Sequence, residues 1–232
     1  MGPLAAALPP LYVILDGASA LLTLAVAAGF LAIARWSRAG LHYLVASGFT
    51  LLAAGFAFVS ASHFGSRVDA DAADAVRLFC QLTGSLLLLF AYGSFHVTGK
   101  PHVVAVVLSA VGGVVGIGVL LHSANLLGAD LPSLQWYFAI AYSLMSMAYL
   151  GCALLSGYGW HKRPTWGRAM VPLGFLCWTL STYTWVFIVL AGTDQFLPVV
   201  YTWRFAAVLL MLWAMVRRPR MPSRRFPDAS SP

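Results

Sequence analysis

The sequence has no glutamate, seven aspartates and only two lysines, Lys100 and Lys162. Charged residues make up 9% of it, against about 25% in soluble globular domains. So few charges cannot cover the surface of a water-soluble domain, and that class is excluded. The three cysteines, Cys80, Cys152 and Cys177, all fall within apolar runs, so no disulfide framework or metal site is expected. There is no HExxH, no GxSxG and no glycine-rich phosphate loop. Enzyme is therefore the least supported class, and no catalytic residue is assigned. What the chain has in abundance is apolar surface, with 60% of its residues hydrophobic.

That surface is gathered into seven runs, about 11–34, 42–62, 77–98, 102–122, 135–156, 170–191 and 196–216. Each reaches the ~20 residues that a helix needs to cross a hydrocarbon core of ~30 Å. The runs are continuously apolar rather than alternating, which excludes membrane-spanning strands. The expected fold is an all-α integral membrane protein, a single seven-transmembrane-helix bundle over residues 1–216.

Basic residues set the expected orientation. Arg35, Arg38, Lys100, Lys162, Arg163, Arg168 and five arginines of the tail, Arg217, Arg218, Arg220, Arg224 and Arg225, share one side. The other side holds only Arg67 and Arg77. The positive-inside rule then places the N-terminus outside and the C-terminus in the cytoplasm of a multi-pass protein of the cell membrane, which agrees with an odd number of spans. The start MGPLAAALPPLYVILD lacks a basic segment, so a cleaved signal peptide is not expected. Residues 217–232, rich in Arg, Pro and Ser, are read as a disordered tail lying on anionic lipid headgroups rather than on nucleic acid. No soluble output domain is expected on either face, so any signal would pass through a protein partner or a second copy of the chain.

Spans two and six share a short pattern: LVASGF pairs Val45, Gly48 and Phe49 with Val171, Gly174 and Phe175 of MVPLGF. Trp36 pairs with Trp160, and Arg77 with Arg204, at nearly the same offset. Spans one to three and five to seven run in the same direction, so the pattern is compatible with a parallel 3+1+3 internal repeat. Span four, VLSAVGGVVGIGVLL, carries Gly112 and Gly116 at the spacing that lets two helices pack closely.

Two ionisable residues lie at membrane depth, Asp16 in span one and Arg204 in span seven. A lone arginine at the centre of a span costs about 2.5–3.5 kcal/mol, so an ion pair between the two is the expected remedy. The alternative is that Arg204 holds an anionic ligand. Trp178 and Ser181 of span six, Tyr201 of span seven and Gln81 of span three would then line an outward-facing pocket around Arg204 and Asp16. Histidines stand at both ends of spans two and four, His42 with His63 and His102 with His122. Such pairs on facing helices could ligate b-type haem, but their separation would put both irons at the membrane edges. No cofactor is therefore predicted, and haem b is the alternative.

The seven-span arrangement and the aromatic sixth span, GFLCWTLSTYTWVF, superficially resemble the microbial rhodopsins, which hold retinal on a lysine in the seventh helix. Here the middle of that helix reads FAAVLL, which excludes covalent retinal. The 3+1+3 pattern is similar to that of the small sugar transporters of the SWEET type, whose Pro-Gln loop motif is missing. No family is assigned on these residues. The leading reading is a bundle that binds or transports a small ligand between its halves, or relays its binding to a partner subunit. The alternatives are a haem-bearing electron-transfer subunit and a structural assembly subunit of a membrane complex. The topology makes a direct prediction: alkaline phosphatase fused to the C-terminus will be inactive and green fluorescent protein fused there will fluoresce. The opposite pair of results would invert the orientation.

Overall fold

The computed structural model describes residues 10–37, 40–63, 70–96, 134–162, 164, 166–191 and 193–217. They form six helices: α1 (Pro10–Ser37), α2 (Gly40–His63), α3 (Ala70–His96), α4 (Leu134–Lys162), α5 (Trp166–Ala191) and α6 (Leu197–Val216). All six are long and apolar enough to cross a membrane. The expected fourth span, 102–122, with Gly112 and Gly116, lies outside the described residues, as does the tail beyond Arg217.

The helices follow from solvent: within hydrocarbon every backbone N–H and C=O must be satisfied inside its own segment. Several run past the apolar windows read from the sequence, because their ends extend into the interface. α3 begins at Ala70, ahead of the expected 77, and α4 continues to Lys162. Pro198 fits the first turn of α6, where its missing N–H is not needed. Pro172 lies inside α5 and releases the carbonyl of Arg168 from the helix ladder. Serine and threonine hydroxyls are absorbed mainly by their own helices, as with Thr50 on the carbonyl of Ala46, Thr179 on Phe175 and Thr182 on Trp178.

Each helix packs on its chain neighbours among the six, and α6 returns to α1, which closes a ring. Most neighbours are antiparallel. Ser60 of α2 donates to the carbonyl of Val13 in α1, and Ser181 of α5 donates to Val200 in α6. Two seams are parallel. Between α3 and α4, Arg77 meets Tyr142 near the start of both helices while Leu89 meets Gly151 further along both. Between α6 and α1, Tyr201 meets Asp16 and, further along, Met215 meets Gly29.

Small residues set the closest approaches. A methyl group on Gly84 of α3 would lie 2.8 Å from the carbonyl oxygen of Gly48 in α2. A methyl on Gly174 of α5 would lie 3.0 Å from the carbonyl of Ala207 in α6. In the ring's interior an aromatic layer joins five helices. Phe49 stacks on Phe30 and Trp178 with centroids 5.6 and 5.7 Å apart, Tyr149 stacks on Trp178 at 5.4 Å, and Tyr92 meets the edge of Phe175 at 5.0 Å. Phe49, Phe175 and Trp178 are almost wholly buried. Backbone contact at Gly84 leaves no side chain to yield, so Gly84→Ala is expected to cost about 1–3 kcal/mol. Gly93→Ala, whose methyl meets nothing within 4 Å, should leave stability unchanged or raise it slightly. Thermal unfolding of both variants in one detergent checks this, and equal losses would refute the packing assignment.

Candidate functional site

The first turns of α1, α3, α4 and α6 and the last turns of α2 and α5 lie at one end of the ring, and the buried charges are concentrated there. Arg204 is the eighth residue of α6 and Asp16 the seventh of α1, which places both about two turns inside. Arg204 Nη1 donates to Asp16 Oδ1 at 2.6 Å, and the Tyr201 hydroxyl donates to Asp16 Oδ2 at 3.0 Å. Both carboxylate oxygens are thus engaged, and the two charged side chains are only 6% and 5% exposed. The guanidinium carbon lies 4.4 Å from the centre of the Phe56 ring and 4.7 Å from that of Tyr201. Tyr12 stacks on the far side of the cluster, 5.3 Å from Tyr201. The ion pair expected from the sequence is present, and rings from α2 and α6 exclude lipid from it.

A second arginine is built into the other parallel seam. Arg77, the eighth residue of α3, donates through Nη2 to the Tyr142 hydroxyl at 2.9 Å and lies 3.0 Å from Asp74 Oδ1, one turn before it. Its guanidinium carbon is 5.4 Å from the Trp185 ring, which in turn stacks on Tyr142 at 5.6 Å. Arg77 Nε is buried with no hydrogen-bond partner among the described residues. The hydropathy pattern set the start of span three at Arg77 and so left this group at the membrane edge. The Asp-x-x-Arg spacing from Asp74 to Arg77 was the signal in the sequence that α3 starts earlier.

The remaining expected pocket residues are packed. Trp178 is part of the aromatic layer, and the Ser181 hydroxyl is committed to Val200 at 3.0 Å. Gln81 is buried one turn after Arg77, with its Cγ 3.1 Å from where a Cβ on Gly55 would be. Among the described residues, Trp178 and Ser181 are thus buried in contacts with neighbouring helices. Of the four candidate haem histidines, His42 is placed in the first turn of α2, with Nδ1 3.3 Å from Ser37 Oγ. His63 ends α2, its side chain outside the described residues; His102 and His122 also lie outside them.

Space exists at the opposite end, where Arg35, Lys162, Arg168 and Arg217 are found. A cavity of about 410 Å³ opens there between α1, α2 and α3 on one side and α5 and α6 on the other. Phe30, Trp36 and Tyr92 supply aromatic walls, Val171, Met211 and Met215 aliphatic ones, and His42, Arg168 and Arg217 the polar rim. Sequence reasoning missed this site because its arginines were absorbed into topology. The aromatic layer divides the cavity from the arginine cluster.

Comparison with protein-family models, curated proteins and solved structures finds no match to this chain. What the bundle does has to be argued from its two ends. For the ionic cluster, Asp16→Asn and Arg204→Gln are each expected to cost about 3–5 kcal/mol, since each leaves a buried charge unpaired. The double variant should cost clearly less than the sum of the two. Tyr142→Phe, which removes the acceptor of a charged donor, should cost about 1.5–3 kcal/mol. Unfolding free energies in detergent give these values, and strictly additive losses at Asp16 and Arg204 would show that the pair is not energetically coupled.

Proposed function

We propose that the protein is a seven-span bundle of two parallel three-helix halves joined by a fourth span, with its N-terminus outside and its C-terminus in the cytoplasm. It binds a small ligand between the halves, and either carries it across the membrane or relays its binding to a partner. The observation that supports this best is the opposition of the two ends. Both parallel seams are latched by arginines at one end, while a cavity between the same halves opens at the other. That is the geometry of a bundle closed outside and open inside.

The contacts at the seams favour the repeat. Arg77 and Arg204 occupy the same eighth position in their helices. Each reaches across a parallel seam to the first helix of the other half, meeting Tyr142 and Asp16, which stand 126 positions apart. Each also lies against a ring from that half's second helix, Trp185 for Arg77 and Phe56 for Arg204. Gly48 and Gly174 make equivalent close approaches, to Gly84 and to Ala207. Neighbours α3 and α4 that run parallel also require the chain to return between them, which agrees with a span over 102–122.

The cavity's chemistry suits a small organic anion with an aromatic or aliphatic body. Its walls are apolar, and Arg168 and Arg217 stand at its rim. The described carboxylates Asp16, Asp74 and Asp194 belong to the other end. Thr23, two turns below Asp16 on α1, tests the closure. Its hydroxyl is buried without a hydrogen-bond partner among the described residues. With Cys80, Cys152 and Cys177 replaced by alanine, Thr23→Cys should resist a membrane-impermeant thiol reagent added outside. Adding Asp16→Asn and Arg204→Gln should raise the labelling rate tenfold or more, about the factor given by 1.4 kcal/mol of lost closure. Equal rates with the latch intact and broken would end the closed-outside reading.

A further inference from the structure

On the outer surface of the basic end, a groove of about 880 Å³ runs along the start of α5 and the end of α6. Gly167 and Ala206 form it by the smallness of their side chains, and Leu209 and Leu210 extend it along α6. Trp166 and Trp213 flank it, 84% and 50% exposed. Its volume falls within the ~300–1,000 Å³ of sites that hold small molecules. Leu209 is inside the apolar span Leu197–Val216, and Arg217 caps that helix. The groove therefore runs from hydrocarbon depth to the level of the headgroups.

We propose that this groove seats one anionic phospholipid of the adjoining leaflet, with its phosphate on Arg217 and an acyl chain along Leu209 and Leu210. The guanidinium of Arg217 lies over the Trp213 ring, 4.8 Å from its centre. Stacking uses the face of the group and leaves its N–H edge for a phosphate. Gly167 and Arg217 line both the groove and the interior cavity, and Arg168 lines the cavity beside them. A headgroup at the mouth of the groove thus meets the guanidinium of Arg217. Asp16, Asp74 and Asp194 all belong to the far end, so no carboxylate among the described residues whose side chains are placed competes there. A soluble anion has no reason to enter a groove at hydrocarbon depth, and a zwitterionic lipid lacks the net charge that an arginine selects. The groove shares Arg217 with the interior cavity and differs from it in Trp166, Ala206, Leu209, Leu210 and Trp213, which the cavity does not use.

Native mass spectrometry of the full chain, with phosphatidylglycerol and phosphatidylcholine of identical acyl chains, tests this. One phosphatidylglycerol should be retained in preference to phosphatidylcholine. Arg217→Gln should weaken its retention about fivefold, as expected for the loss of one basic contact at a membrane surface. Ala206→Phe, which fills the groove and leaves the charge unchanged, should release it as well. Arg35→Gln, exposed on α1 at the same end, should not. Equal retention of the two lipids, equal loss in Arg35→Gln, or full retention in Ala206→Phe would each overturn the site in favour of diffuse attraction. A measurement on the unaltered protein guards against variants that fail to fold. Chain-brominated phosphatidylglycerol should quench tryptophan fluorescence more than brominated phosphatidylcholine does, and identical quenching would also overturn the proposal.

Discussion

An arginine held two turns inside a membrane helix has to be met by the protein, and the way Arg204 is met organises this bundle. Its partner, Asp16, is 188 residues away, near the opposite end of the described chain. The pair can form only if the last helix lies beside the first, so burying the charge and closing the ring are one requirement. In lipid no hydrophobic force gathers helices, and association depends on close packing and on polar contacts between them. The ion pair, with Tyr201 on its second carboxylate oxygen, supplies the polar contact at the α6–α1 seam. Glycines at 48, 84 and 174 supply close packing at the antiparallel seams, where backbone approaches backbone.

The aromatic layer follows from the same closure. Once six helices form a ring, the space inside must be filled, and Phe49, Phe175, Trp178 and Tyr149 fill it with stacked faces. Rings satisfy this role with few polar atoms that need partners, the tyrosine hydroxyls and the indole N–H of Trp178. Below the layer the interior is not completely filled, which leaves the cavity at the basic end. The bundle is therefore divided by one apolar floor, with fixed charges above it and open space below.

Much of this was legible in the sequence. Continuous apolar runs located all six described helices, since hydropathy records which residues can stand in hydrocarbon. The Asp16–Arg204 pair was also readable, because two opposite charges at equal depth in the first and last spans leave few other solutions. Tyr142 was not readable as the partner of Arg77, because a neutral phenol in an apolar run carries no signal of depth or direction. Nor was the commitment of Ser181 to a neighbouring backbone carbonyl, since a serine in a span is equally suited to a ligand, its own helix or the next one. The basic-end cavity escaped for a different reason: Arg168 and Arg217 were counted toward the orientation of the chain, and that reading drew attention from the cavity they line.

The two latched seams are alike in position but differ in chemistry, and the difference bears on how the ring could open. At the α6–α1 seam the carboxylate sits on the opposite helix, so separating the helices would strip an ion pair of its partner in a poorly screened environment. At the α3–α4 seam Arg77 carries its carboxylate with it, because Asp74 belongs to the same helix. The polar contacts of Arg77 with the other half are the hydrogen bond to the neutral Tyr142 hydroxyl and the contact with the Trp185 ring. Breaking a hydrogen bond from a charged donor costs about 1.5–3 kcal/mol, while unpairing a buried charge costs about 3–5 kcal/mol. The polar contact is therefore stronger at α6–α1, while α3–α4 carries more of the packing. Parting α3–α4 would leave Arg77 its counter-charge on the same helix, and parting α6–α1 would leave Arg204 none.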